Sequence, residues 1–161
     1  MSQILIIGYG NVLREDDAAG YRAAEQLQQY YRDDPEVEVI ASHQLTPEMA
    51  LDISHSELVV FLDASSAEEP GTVSQSRVQP QACEVGFTHQ LTPAALLSLA
   101  QQLYGHSPEA ISITLAGWSF QLRNKLSRRA GMLLPVLVAQ AKDAVERHRR
   151  HVFPESRLVL L

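Results

Sequence analysis

Two apolar runs, QILIIG at 3–8 and ELVVFLDA at 57–64, constrain this chain more than any other feature. Each is short and ends at a small or acidic residue, as a buried strand does, and neither alternates with polar residues. A strand apolar on both sides must be covered on both sides, which points to a parallel sheet held between helices. The intervening segments supply the helices. AAGYRAAEQLQQYY places Ala19, Ala23, Leu27 and Tyr30 or Tyr31 on one face. EVEVIA (36–41) alternates like a strand, and Thr46–Ile53 reads as a short helix. Gly71–Val78 fits an antiparallel or edge strand, Leu91–Leu103 a helix, ISITLAGW (111–118) a strand and Ser127–Arg147 a long final helix. The tail SRLVLL is apolar and has no assigned state. The order β-α-β-α-β-(β)-α-β-α predicts an α/β fold. It is a single three-layer domain over 1–161, a mostly parallel twisted sheet with helices on both faces.

Composition narrows the function classes. The formal charge is −6, whereas nucleic-acid grooves and anionic membrane surfaces need clustered Lys and Arg, so neither partner is expected. The late run RHRRH (147–151) reads as a solvated helix end, where cations meet the negative pole of the helix. No stretch approaches the ~20 apolar residues of a membrane span, so no membrane insertion is expected. MSQILIIGYG lacks a signal-peptide pattern. One cysteine, Cys83, cannot form an internal disulfide and fits a cytoplasmic protein.

In doubly wound folds ligands bind beyond the carboxyl ends of the strands. The first strand is followed by Asn11 and the run Glu15-Asp16-Asp17, the second by His43 and Gln44. The third ends at Asp63, followed by Ser65 and Ser66, and the last ends in Gly117-Trp118-Ser119. The pentapeptide HQLTP occurs twice, at 43–47 and 89–93. In both copies Thr-Pro reads as a helix start, with Thr capping and Pro at the first helical position. His43-Gln44 and His89-Gln90 are then placed on the same rim. Two Asp and a His from separate loops suit a divalent metal such as zinc, nickel, manganese or iron. Capping competes as an explanation for Asp16 and Asp17, because the first would cap the helix and the second sit in its first turn. Asp63 is harder to dismiss, since a carboxylate closing a buried strand is costly unless paired or metal-bound.

Other motifs fail. Gly8-x-Gly10 has Leu13 where a dinucleotide fingerprint needs its third Gly, and the second strand lacks the acidic residue that would hold a ribose. There is no phosphate loop, no His-Glu-x-x-His helix and no GxSxG elbow. Cys83 has Glu84 beside it and no adjacent base, which does not make a reactive thiolate.

GYGNVLREDDAAGYRAAEQL, then VVFLDASS, then THQLTP, resembles the nickel–iron hydrogenase maturation endopeptidases, and LYG at 103–105 and Gly117 continue the likeness. HQLTPEMA at 43–50 is most similar to the branch serving bidirectional, NAD-linked hydrogenases. The resemblance implies an endopeptidase that removes the C-terminal extension of a hydrogenase large-subunit precursor after nickel insertion. It implies Asp17, Asp63 and His89 as the metal-contacting and catalytic set, with Asp16 left to cap, and nickel supplied by the precursor. No residue is assigned as the nucleophile, and water activated by Asp17 or Asp63 is one route left open. Three protein ligands leave coordination positions open for nickel already held by a loaded substrate. His43, Gln44, Gln90 and Ser119 are the candidate substrate contacts. The same ligands would serve a nickel-binding accessory protein or chaperone without peptidase activity, and that alternative stays open on sequence.

Overall fold

A computed structural model describes residues 3–82 and 91–152. Among the described residues, five strands form one sheet: β1 (Ile4–Tyr9), β2 (Val37–Ser42), β3 (Leu58–Ser65), β4 (Val73–Arg77) and β5 (Glu109–Ala116). Their spatial order is β2-β1-β3-β5-β4, all parallel except β4, which runs antiparallel to β5 on the edge. The helices are α1 (Ala19–Tyr30), α2 (Met49–Ser54), α3 (Pro93–Tyr104) and α4 (Arg128–Val152), with a 3₁₀ turn at Glu15–Ala18 before α1.

The strand pleat explains the three layers. Ile4 and Ile6 on β1, with Val60 and Leu62 on β3, join the cluster that buries Ala23 and Leu27 of α1 and Leu137 and Val145 of α4. Their neighbours Leu5, Ile7, Val59 and Phe61 point the other way, onto Ile53 of α2 and Leu96 and Leu97 of α3. Both faces of β1 and β3 are therefore covered, as their uninterrupted apolar runs require. The chain goes from β1 outward to β2 and then returns to lay β3 on the other side of β1. The boundary between β1 and β3 is a topological switch point, where α/β sheets open a crevice.

The glycines flanking β1 serve close packing. A Cβ on Gly8 would lie 2.1 Å from the Gly20 carbonyl oxygen, and one on Gly20 equally close to that of Leu62. Gly10 has φ +151, and a Cβ there would come within 1.9 Å of the Asp17 carbonyl oxygen. These residues let α1 and the loop before it press backbone-to-backbone on the sheet.

The two HQLTP copies part company. Thr92 caps α3, its hydroxyl accepting the Ala95 N–H at 3.1 Å, with Pro93 opening the helix and Gly105 (φ 75) ending it. Thr46 does not cap α2. That helix starts later than expected, at Met49, after a turn closed by the Met49 N–H on the Thr46 carbonyl, and the Thr46 hydroxyl bonds the Glu48 carboxylate instead. A single acceptor residue two places on diverts the hydroxyl. α4 runs past the expected end at Arg147, because Arg149 is held by Asp34 and Glu146 rather than released to solvent.

Candidate functional site

The loop between β1 and α1 is built by short-range hydrogen bonds. The Asn11 side-chain oxygen accepts the Leu13 N–H at 2.9 Å, and the Asn11 N–H donates to Asp17 Oδ2 at 2.9 Å. Asp17 is thereby turned back over the end of β1, half-buried rather than facing solvent as an ordinary first-turn acid.

Asp16 behaves differently from the expectation that it caps α1. It is fully buried, and its carboxylate accepts four hydrogen bonds from the segment after β5. These come from the N–H groups of Trp118 (2.8 Å), Ser119 (3.2 Å) and Ser127 (2.7 Å) and from the Ser127 hydroxyl (2.8 Å). The reason is the intervening 3₁₀ turn, whose Glu15 adopts φ 42 and aims Asp16 sideways, across the sheet end. A non-glycine residue in the left-handed region persists only when its surroundings hold it. Here the Glu15 N–H donates to the Arg123 carbonyl at 3.0 Å and its carboxylate accepts the Ser119 hydroxyl at 3.0 Å.

Asp63 closes β3. Its Oδ1 accepts the Ala64 N–H at 2.7 Å, and the phenol of Tyr9, at the end of β1, donates to the same carboxylate. Burial pushes Asp63 up to about 6, against the pull of those two donors, and the Asp17 carboxylate raises it further. Burial and the facing Asp63 likewise push the Tyr9 hydroxyl well above its ordinary value, so it stays a donor.

Asp17, Asp63, His43 and Gln44 line one cavity of about 160 Å³ at the β1/β3 switch point, with Tyr9, Asn11 and Arg14 around them. Tyr9 and Arg14 are residues that sequence reasoning missed. The only available signal for Tyr9 was a polar-tipped aromatic inserted between two glycines at the end of a buried strand. A larger hollow of about 230 Å³, lined by Arg77, Arg147, His148 and His151, lies beside the opposite ends of β3 and β5, Leu58 and Glu109. That is the wrong end of a parallel sheet for a ligand. Ser119 does not line the cavity, and its hydroxyl is committed to Glu15. His89, Gln90 and Cys83 lie outside the described residues, although Leu91, next in sequence, is part of the cavity wall.

Among the described residues, no group of three or more His, Cys, Asp or Glu is gathered closely enough to hold a metal ion. His43 therefore shares the cavity with both carboxylates without completing a metal site. The two carboxylates are suited to half of one. Each has one oxygen fixed by a backbone N–H, and their mutual repulsion would be relieved by a cation between them.

No family model matches the chain. It is 29% identical over 151 residues to the hydrogenase 2 maturation protease of Escherichia coli strain K12, covering 89% of this chain and 87% of that protein. Among solved structures, the hydrogenase maturating endopeptidase HybD from E. coli superposes with a TM-score of 0.72 at 24% identity, covering 92% of this chain and 94% of that one. The nickel–iron hydrogenase maturation protease HycI from Thermococcus kodakarensis gives 0.66 at 25% identity, covering 86% and 91%. The sequence relative and the structural neighbours alike are hydrogenase maturation proteases, and the chain is similar to them in sequence and shares their fold.

Proposed function

We propose that the chain removes the C-terminal extension of a nickel-loaded hydrogenase large-subunit precursor in the cytoplasm, and that Asp17, Asp63 and His89 recognise the inserted nickel. The reading rests on one observation above all: Asp17, in the turn after β1, and Asp63, on β3, line a single cavity at the switch point. Nickel arrives as part of the substrate, held by the precursor. Carboxylate oxygens and an imidazole nitrogen are donors that nickel accepts, and a site short of ligands by itself favours a substrate that brings the ion with it. The precursor then enters with its tail along the rim, where His43 and Gln44 stand on the cavity wall and Gln90 is the matching candidate from the second pentapeptide. Ser119 is reassigned from substrate contact to holding Glu15 in its left-handed conformation.

The test is incubation of the cognate precursor, with and without nickel, followed by gel analysis. Cleavage that requires nickel in the precursor and is lost in Asp17→Ala, Asp63→Ala and His89→Ala, each with unchanged circular dichroism, is the expected result. Retained cleavage in all three variants overturns the assignment of the site. A nickel carrier without peptidase activity would bind the precursor and leave its length unchanged.

A further inference from the structure

Beside the acidic cavity the molecule changes sign. Residues 118–129 carry Arg123, Lys125, Arg128 and Arg129 and no acidic residue, in a chain whose formal charge is −6. These four, and Arg14 beside them, are exposed, and none has a carboxylate partner among the described residues. Of the acids beside the patch, Glu15 and Asp16 are buried and turned inward, and Glu25, which lines the same hollow as Lys125, is paired with Arg22. Two exposed large apolar side chains stand in the same patch, Leu13 (57%) and Leu122 (83%).

The patch is held rigid. The Arg123 N–H donates to the Leu13 carbonyl at 3.0 Å, the Glu15 N–H to that of Arg123, and the Asp16 N–H to that of Ser119. The Arg14 guanidinium reaches the Phe120 carbonyl at 3.3 Å. Leu13 and Leu122 are therefore displayed from two loops zipped together. Two exposed leucines brought onto one face by a fixed backbone form an apolar feature that a partner can cover.

We propose that this face, formed by residues 11–17 and 118–129, is the docking surface for a polypeptide segment of the precursor that carries carboxylates among apolar side chains. The inference rests on the processing reading above and adds the surface that captures the substrate. Two features select this occupant. Arg14 belongs both to the patch and to the cavity wall, so a chain lying on the patch runs directly into the site. Five cations without a carboxylate partner among the described residues ask for anions, while the two leucines between them ask for apolar side chains, a combination that a polypeptide offers and a phosphate backbone does not. The signs are also sorted: the acidic cavity attracts the cation, and the basic collar the peptide.

The experiment compares Leu122→Ser and the double variant Arg123→Glu/Lys125→Glu with the unaltered protein, using nickel-loaded precursor as substrate and a dye-labelled precursor for anisotropy. Arg32→Glu, an exposed charge reversal beyond the far end of α1, is the control. Both patch variants are expected to raise KM and Kd for the precursor roughly tenfold or more, with kcat at saturation within about twofold and unchanged thermal melting. Wild-type affinity should fall with added salt, and the charge-reversed variant should lose most of that dependence. Affinity unchanged in both variants overturns the proposal, as does a loss equalled by Arg32→Glu. Labelled duplex DNA bound as tightly as the precursor, and lost in the same variants, also overturns it. If the unaltered protein binds the precursor but never cuts it, the processing reading fails, and the Kd comparison still decides the surface.

Discussion

The Asp16 carboxylate and Ser127, 111 residues apart, are joined by two hydrogen bonds, from the Ser127 N–H at 2.7 Å and its hydroxyl at 2.8 Å. Ser127 in turn accepts the Ala130 N–H and so begins α4. One buried acid thus ties the site loop after β1 to the start of the longest helix. Asp16→Ala would leave the N–H groups of Trp118, Ser119 and Ser127 without partners, each costing about 1–3 kcal/mol. We expect a loss of at least about 3 kcal/mol, a fall in Tm of roughly 6–12 °C for a domain of this size. Thermal unfolding checks it, and a shift of only a degree or two would show that the carboxylate is dispensable.

That pair also marks what a linear reading can and cannot find. β1 and β3 were legible because apolar side chains on both faces admit few environments, and the edge position of β4 followed from its polar residues. Asp17 and Asp63 were legible as strand-end acids. Asp16 was misread because its neighbours resemble a helix start, whereas its partners lie more than a hundred residues away and only the folded chain presents them. Thr46 and Thr92 make the same point locally: identical pentapeptides, but only one is followed by a Glu that captures the hydroxyl. Tyr9 as a partner of Asp63 depends on β1 and β3 being adjacent, which strand order within a sequence does not state.

A second staple sits at the other end of α4, where Arg149 bonds Asp34 in the turn before β2. Burial alone would raise Asp34, but the Arg149 hydrogen bond and charge, with the Glu36 N–H, outweigh it and hold the carboxyl below its usual value. A depressed carboxyl stabilises the fold above its unfolded pKa, and that stabilisation is lost as pH falls through the folded value. Arg149→Ala should therefore cost about 1 kcal/mol near neutrality, since both side chains are about a quarter exposed. The cost should fade in strong acid. Urea unfolding of both proteins at several pH values measures it, and a pH-independent difference would mean that packing of the Arg stem, not the ion pair, is what was removed.

Within the cavity, Tyr9→Phe deletes one donor to Asp63 while keeping the ring. The phenol holds Asp63 lower than burial alone would, so its loss should move the Asp63 carboxyl above about 6. If ionised Asp63 is needed for processing, the acid limb of the pH–rate profile should shift upward by a measurable fraction of a pH unit, with little change at pH 8. A variant that is slower by the same factor at every pH would point to a structural role for the hydroxyl instead.

The elevated Asp63 carboxyl further predicts a conflict between stability and function. Its folded pKa of about 6 lies above the ordinary 3.8, so folding favours the protonated acid. Stability from this group is complete below the unfolded value and lost as pH rises through about 6, so at pH 7 the ionised carboxylate costs up to about 3 kcal/mol. Asp63→Asn keeps an acceptor for the Ala64 N–H and the Tyr9 hydroxyl but removes the charge facing Asp17. Its Tm should exceed that of the unaltered protein at pH 7, and the gap should close toward pH 4. Precursor processing should be lost throughout, because the carboxylate that strains the apo cavity is the group proposed to meet the incoming nickel. Equal melting temperatures at pH 7 would show that the two acids are already relieved by solvent, and the cavity would then be no more charged than an ordinary surface.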